Sequence, residues 1–198
     1  MANGEAWRKY PDHPSKQVIK NMSKQVIKAA ASGNPDLLSK LLQQMNPSER
    51  ASALETVYPW DNVGLNLLFP ERNPLMVAVQ RGNVDCVRVL LSYKANVEGP
   101  IGRCCDSRYK SGNIGYLLCS NTPLFVAAEH GHVGVMSCLV EHGANVDGVT
   151  FMACCTPLMI AVEGKHESAV AFLVEHGANL DLQDKDGDRK STRLNSSH

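Results

Sequence analysis

Thiols and imidazoles are the side chains of this 198-residue chain with the most reactive chemistry. Five of its seven cysteines fall in stretches that read as loops, namely Cys104, Cys105, Cys119, Cys154 and Cys155. Clustered cysteines suggest zinc, but adjacent Cys-Cys pairs lack the C-x₂₋₄-C spacing with which two thiolates grip one ion. We therefore predict no metal site, and reduced thiols in a cytoplasmic or nuclear protein.

Catalysis would need a nucleophile, a base or a cofactor-binding loop in a recognisable arrangement. The sequence contains no nucleophile elbow, phosphate-binding glycine loop or paired-carboxylate signature. The run D-K-D-G-D at 184–188 begins like a calcium-binding loop but lacks the glutamate ligand that would follow. We predict a non-enzymatic protein with no catalytic residues and no cofactor.

Charge and hydropathy argue against two further classes of partner. Lysine plus arginine equals aspartate plus glutamate, 20 against 20, so we expect neither a nucleic acid nor a membrane surface as partner. No apolar run approaches the length of a membrane span. Residues 1–14 are polar, lack the apolar core of a signal peptide, and are expected to form a disordered tail.

Two long segments, 45–72 and 98–121, hold aromatic and charged side chains typical of protein-binding surfaces. The candidate partner-contacting residues are Tyr58, Trp60, Phe69 and Arg72 in the first segment and Arg103, Asp106, Arg108, Tyr109 and Tyr116 in the second. For Trp60 and Phe69 an alternative stays open, in which they fold back into a small core that covers the loops. The first segment also contains Asn46-Pro47-Ser48-Glu49, which predicts a helix start.

The elements that must position these segments follow one repeated pattern, seen best at 122–145. Thr122-Pro123 suits the cap and first turn of a short helix. Gly131 can take the positive φ that ends this helix, and a second apolar helix then runs to Gly143. Such a unit cannot bury its apolar face alone, so similar units must flank it.

Related units occur near 23–45, 73–97 and 156–181, and the glycines Gly33, Gly82 and Gly131 recur every 49 residues. In the fourth unit Lys165 stands at the glycine position, so that helix end is less ideal. The hexapeptide S-K-Q-V-I-K occurs twice, at 15–20 and 23–28. Because its period of eight is close to two helical turns, we predict one helix over 15–31.

The register T-P-L, A-A, G-H and G-A-N in 122–145 resembles the ankyrin repeat, two short helices between hairpin-like loops. The resemblance implies an all-α fold, an ankyrin-repeat solenoid of about four helix pairs with two enlarged inter-repeat loops. The histidines His130, His132, His142, His166 and His176 then have structural roles, chiefly packing and local hydrogen bonds. Cys86 and Cys138 lie in second helices and read as small core residues.

Ankyrin arrays generally bind proteins, which implies a monomeric module that holds a partner protein or peptide through its concave face and long loops.

The chain is also similar to the N-terminal ankyrin array of the feminization family, substrate receptors of cullin-RING ubiquitin ligases. The shared features are a first pair without T-P-L at 29–42, an enlarged next loop and the long segment 98–121. The similarity implies a substrate-recognition role, with the concave face and this segment holding a C-terminal degron. A third interpretation is the regulatory array of a larger enzyme or channel.

A fifth unit starts at 184, where D-K-D-G-D reads as its loop, and its threonine would fall at 189, but residues 189–198 match no repeat. Asp188–His198 is the translation of a nucleotide string that resembles a sequencing-library adapter. We therefore interpret 189–198 as non-native, with 15–188 as the repeat domain, and expect the native protein to continue with at least a fifth repeat. This tail contains Arg189, Lys190 and Arg193 and no acidic residue, so it is no basic nucleic-acid arm.

Overall fold

The computed structural model describes residues 14–55, 73–99, 121–148 and 155–182, with side chains from residue 21 onward. Within these ranges the fold is all-α, as the sequence predicts, and contains no strand. The helices are α1 (Pro14–Ser32), α2 (Pro35–Gln44), α3 (Pro47–Glu55), α4 (Pro74–Gln80), α5 (Val84–Ser92), α6 (Pro123–Glu129), α7 (Val133–Glu141), α8 (Pro157–Glu163) and α9 (Glu167–Glu175).

Eight of these helices form four consecutive pairs that stack in two layers. The first helices of the pairs, α1, α4, α6 and α8, pack one on the next. The second helices, α2, α5, α7 and α9, form a parallel layer in the same order. Helix α3 lies in the first enlarged loop and packs against α1 and α4. The predicted solenoid of four helix pairs is therefore confirmed.

Helix starts follow the capping rules that the sequence predicts. Asn73, Thr122 and Thr156 each accept the backbone N–H three residues ahead through a side-chain oxygen, and a proline follows each of them. At α3, the Asn46 side chain accepts the N–H of Glu49 while the Glu49 carboxylate accepts the N–H of Asn46. This reciprocal pair satisfies two backbone donors and confirms the predicted helix start.

Helix ends use the left-handed conformation at equivalent positions of each pair. The first helices end at positive φ on Gly33, Gly82 and Gly131, and the fourth places Lys165 there at φ 56°. The second helix of the second pair does the same with Lys94 at φ 69°. Because an L-residue pays a steric penalty in this region, the less ideal end predicted at Lys165 is confirmed.

The core lies between the two layers and is built from repeating apolar positions. The leucine of each N/T-P-L motif is at most 1% exposed, at Leu75, Leu124 and Leu158. Cys86 and Cys138 are 1% and 2% exposed, which confirms them as core residues. Burial raises the pKa of both thiols, with the Asp85 carboxylate adding to the effect at Cys86.

Helix α1 absorbs the duplicated hexapeptide in one continuous element. Val26 and Ala29 are buried and Met22 packs against the core, so these apolar residues turn toward the array. From residue 21 onward the exposed residues of α1 are all polar, namely Asn21, Gln25, Lys28 and Ser32. Among the described residues, no helix combines the length and the apolar character that crossing a membrane requires.

Candidate protein-binding surface

The predicted partner-contacting residues fall in two segments, 56–72 and 100–120, that lie outside the described residues. They are Tyr58, Trp60, Phe69 and Arg72 in the first and Arg103, Asp106, Arg108, Tyr109 and Tyr116 in the second. The structure does describe the residues from which each segment departs and to which it returns. The positions of those residues show how the array holds the two ends of each segment.

The 100–120 segment leaves and re-enters the array at one place. A Cβ added to Gly99 would lie 3.1 Å from Cδ of Pro123, so the residues before and after the segment are in contact. The turn before it is fixed by Asn96, whose carbonyl accepts the N–H of Gly99 at 3.0 Å and whose side-chain amide donates to the Gly99 carbonyl at 2.7 Å. The two ends of the segment therefore lie side by side at Gly99 and Pro123, which we call its base.

That base is also tied to the next repeat. The Glu98 carboxylate accepts the backbone N–H of Asn145 at 2.8 Å. One repeat further along, the Asp147 carboxylate accepts the N–H of Asn179 at 2.9 Å. In both cases a carboxylate in the loop after one helix pair bonds to the loop after the next pair. These bonds fix the distance between successive loops.

A second series of hydrogen bonds joins the repeats at the ends of the first helices. The side-chain amide of Asn83 donates to the carbonyl of Ala30 at 2.8 Å. At the equivalent position, Nε2 of His132 lies 3.3 Å from the carbonyl of Gln80.

Nε2 of His166 continues the series, 2.9 Å from the carbonyl of Glu129. Each bond satisfies a carbonyl that a helix end leaves without an intrahelical partner. The structural roles predicted for His132 and His166 are therefore confirmed, and these bonds reach across repeats as well as within them.

Polar side chains line the ends of the first helices. Arg81, Glu163 and Lys165 are exposed, and Glu129 and His130 are half-buried. Nδ1 of His130 lies 3.0 Å from the carbonyl of Val126, and its ring stacks on His132 at a centroid distance of 5.6 Å. This edge therefore offers charges of both signs on a fixed backbone, a surface that suits a polypeptide partner.

Helix α3 fixes the beginning of the first enlarged loop through Arg50. Its Nε donates to the carbonyl of Leu42 at 2.9 Å and its Nη2 to the carbonyl of Met45 at 3.1 Å. The guanidinium also lies 4.9 Å from the ring centroid of Tyr93, at the end of α5. One arginine therefore caps α2 and joins the first two helix pairs.

Sequence reasoning missed Glu98, Asp147 and Arg50 as positioning residues. A signal for the first two exists, because Asn-x-acid recurs at 96–98, 145–147 and 179–181. In each copy the asparagine side chain accepts the N–H of the acidic residue. For Arg50 no spacing signal exists, because its contacts depend on where α3 packs.

Metal ligation finds no support in the described ranges, where no group of three or more His, Cys, Asp or Glu side chains is placed to hold an ion. Four of the five loop cysteines lie outside those ranges. The fifth, Cys155, is partly buried. His142 and His176 each place Nδ1 at 2.8 Å from the carbonyl four residues earlier, as local loop hydrogen bonds.

Two family models match this chain, and both describe ankyrin repeats. A model of three ankyrin copies matches residues 104–184, and a single-repeat model matches 71–99. Together the matches cover more than half of the chain, and with the stacked helix pairs they show that it is an ankyrin-repeat protein. Proteins of this class are generally non-enzymatic and mediate protein–protein interaction. A search of curated proteins gives no match.

Proposed function

We propose that this protein is a monomeric, non-enzymatic scaffold that binds a partner protein or peptide through its concave face and its two long loops, in the cytoplasm or nucleus. One observation carries the proposal, namely the closed base of the 100–120 segment. Gly99 contacts Pro123, and Glu98 is bonded to Asn145 in the next repeat. Because both ends of the 21-residue segment are fixed, binding a partner does not have to bring those ends together.

The exposed charges at the ends of the first helices support a polypeptide partner. Arg81 directly follows α4, whereas Glu163 is the last residue of α8 and Lys165 lies two positions later. A peptide that crosses the repeats would meet them in a fixed order, because the inter-repeat bonds of His132 and His166 hold these ends in place. Aromatic and arginine side chains in the loops would supply the anchors that dominate binding energy.

The test compares partner capture by three purified proteins under identical conditions. The double variant Trp60→Ala/Arg108→Ala removes one proposed anchor from each loop. Arg88→Ala is the matched control, because Arg88 is an exposed residue of α5 and lies outside both loops. We expect the double variant to lose a partner that the wild type and the control both retain, with unchanged circular dichroism and urea unfolding.

Equal capture by all three proteins would contradict a role for the loops. A loss of helical signal in the double variant would show instead that Trp60 or Arg108 is structural. In that case single variants at Tyr109 and Tyr116, measured in the same way, test the second loop separately.

A narrower hypothesis makes the array the substrate-recognition part of a cullin-RING ubiquitin ligase receptor. It is favoured by the long segment 98–121, which is the feature shared with the feminization family. The implied ligand is a C-terminal degron, so binding should need a free carboxylate. A library of peptides with free C-termini, compared with the same peptides amidated, tests this directly. Binding that is indifferent to amidation would contradict the degron hypothesis and leave the general scaffold proposal intact.

A further interpretation, the regulatory array of a larger enzyme or channel, depends on sequence beyond this chain. Recovery of the full-length transcript separates it from the ligase hypothesis. A cullin-binding helical segment would favour a ligase receptor, whereas a catalytic or membrane domain would favour a regulatory array.

A further inference from the structure

We propose that the contact between Arg50 and Tyr93 couples α3, which leads into the 56–72 segment, to the turn after α5, which leads into the 100–120 segment. The supports of the two long segments are then held at one fixed separation. Such an arrangement suits a single partner that bridges both segments rather than two independent ligands. The bridging partner rests on the function proposed above, whereas the coupling is a property of the free protein.

Tyr93 departs from the pattern of the repeat. The equivalent residues of the third and fourth pairs are His142 and His176, whose Nδ1 atoms lie 2.8 Å from a carbonyl of their own helix. In the second pair this position is a tyrosine, and the Arg50 guanidinium lies 4.9 Å from the centroid of its ring. Arg50 belongs to α3, so the departure occurs where the helix of the first enlarged loop meets the array.

On the side of α3, the position of Arg50 governs the whole helix. This helix is nine residues long and ends at Glu55, the last described residue before the 56–72 segment. Near its end Ala53 and Leu54 are 0% and 3% exposed, so the helix is packed along its length. Because its backbone hydrogen bonds make a helix stiff, a shift at Arg50 also displaces Glu55.

On the side of α5, hydrogen bonds lead from Tyr93 to the base of the 100–120 segment. The N–H of Ala95 donates to the carbonyl of Leu90 at 3.0 Å and holds the chain against α5 directly after Tyr93. The N–H of Gly99 then donates to the carbonyl of Asn96 at 3.0 Å. The turn is therefore fixed at both ends, and a movement of the Tyr93 ring displaces the residues that support the base.

Arg50 cannot follow one side without affecting the other. Its Nε and Nη2 donate to the carbonyls of Leu42 and Met45 at 2.9 and 3.1 Å, and its side chain is half-buried. Because the guanidinium is planar, these two bonds fix the face that it turns toward Tyr93. The coupling must act in both directions, since a coupling free energy between two sites is reciprocal.

Reciprocal substitutions in the full chain test the coupling by amide hydrogen exchange. Tyr93→Leu removes the ring and leaves α3 unaltered, so we expect the last turn of α3 to exchange at least about threefold faster. Arg50→Lys leaves α5 unaltered and should accelerate the amides of Ala95 and Gly99 by at least about threefold. If Arg50→Lys unfolds α3 altogether, Tyr93→Leu decides, because it leaves both carbonyl bonds of Arg50 in place.

Tyr93→Phe is the matched control, because it keeps the aromatic face beneath the guanidinium and should exchange like wild type. The amide of Asn179, which bonds to Asp147 in a distant loop, is the internal reference and should be unchanged in every variant. Wild-type exchange at Ala95 and Gly99 in Arg50→Lys would overturn the coupling. An equal acceleration at Asn179 would also overturn it, since that result indicates general destabilisation.

The bridging partner is tested with the protein that wild type retains in the capture experiment above. Trp60→Ala and Arg108→Ala, as single variants, should each weaken capture of that same protein, and so should Arg50→Lys. Loss of two different proteins by the two single variants would contradict a bridging partner. Equal capture by all variants would contradict the proposed function, whereas the exchange results would still decide the coupling.

Discussion

The Glu98 carboxylate accepts the backbone N–H of Asn145 at 2.8 Å, and so joins two repeats beside the base of the 100–120 segment. We expect Glu98→Ala to lower the free energy of unfolding by about 1 kcal/mol, because the exposed hydrogen bond is lost and water replaces it in part. Glu98→Gln keeps an oxygen in place and should lose less than half of that. Urea unfolding gives the free energies, and the exchange rate of the Asn145 amide should rise in Glu98→Ala alone.

The equivalent bond at the next junction provides the control. Asp147→Ala should accelerate exchange of the Asn179 amide and leave that of Asn145 unchanged. If both amides accelerate in either variant, these carboxylates do not act at individual junctions, and a general loss of stability explains the result.

Two lysines at left-handed positions offer a gain in stability. Lys94 (φ 69°) stands where the third and fourth pairs have Gly143 and Gly177, and Lys165 (φ 56°) stands where the first three pairs have Gly33, Gly82 and Gly131. We expect Lys94→Gly and Lys165→Gly each to raise the free energy of unfolding by about 0.5 kcal/mol. Glycine removes the steric strain of the left-handed conformation, which stabilises the folded state. This gain in free energy is larger than the loss caused by the extra conformational entropy that glycine gives the unfolded chain. Thermal and urea unfolding of the single and double variants test this.

The matched control is the reverse change at Gly143, which has φ of 88° and no atom within 4 Å of an added Cβ. Gly143→Ala should therefore cost about 1 kcal/mol from backbone strain alone. Lys165→Ala should bring no gain, because alanine keeps the strain. A stabilising Lys165→Ala would show that the lysine side chain is the source of the penalty.

Arg50 should be the residue on which the position of α3 depends. Arg50→Lys retains the charge but loses the guanidinium, whose Nε and Nη2 donate to the carbonyls of Leu42 and Met45. We expect it to cost about 1 to 2 kcal/mol and to increase amide exchange in α3 before the rest of the array.

The cation–π contact of Arg50 can be tested separately from its hydrogen bonds. Tyr93→Leu removes the ring beneath the guanidinium and should cost about 0.5 to 1 kcal/mol from that contact. In Arg50→Lys the same change should cost less, and an equal cost in both backgrounds would show that Tyr93 contributes by packing alone.

The buried thiols predict how stability depends on pH. Burial raises the pKa of Cys86 and Cys138 in the folded state, so the folded protein holds these protons more tightly than the unfolded chain. The stabilisation is complete below the unfolded thiol pKa, about 8 to 9, and is lost as the pH rises through the folded value. Urea unfolding between pH 7 and 10 should show a steeper decline in wild type than in Cys86→Ala.

The absolute stability of Cys86→Ala also contains a cavity cost, so the comparison uses slopes rather than free energies. Alkylation provides a second measurement, because both thiols should resist iodoacetamide in the folded state and react once urea unfolds the chain. Identical pH slopes together with rapid alkylation of the folded protein would contradict the buried, neutral thiols described here.

The sequence by itself determined the helix pairs and their boundaries. Thr122, Thr156 and Asn46 cap helices through atoms no more than three residues away. Gly131 ends a helix through its own φ. These interactions are local, so residue type and spacing alone specify them, and the repeated register identified the ankyrin solenoid before any contact was known.

Only the tertiary structure decided which residues join one repeat to another and how deeply equivalent residues are buried. Glu98 and Asn145 are 47 positions apart, and nothing in either residue alone names the other as its partner. Val126 and Ile160 have the same place in the repeat and nearly the same side chain, yet only Val126 is fully buried. Burial depends on the neighbouring helix pair, which stacking places there and which a pattern within one repeat does not contain.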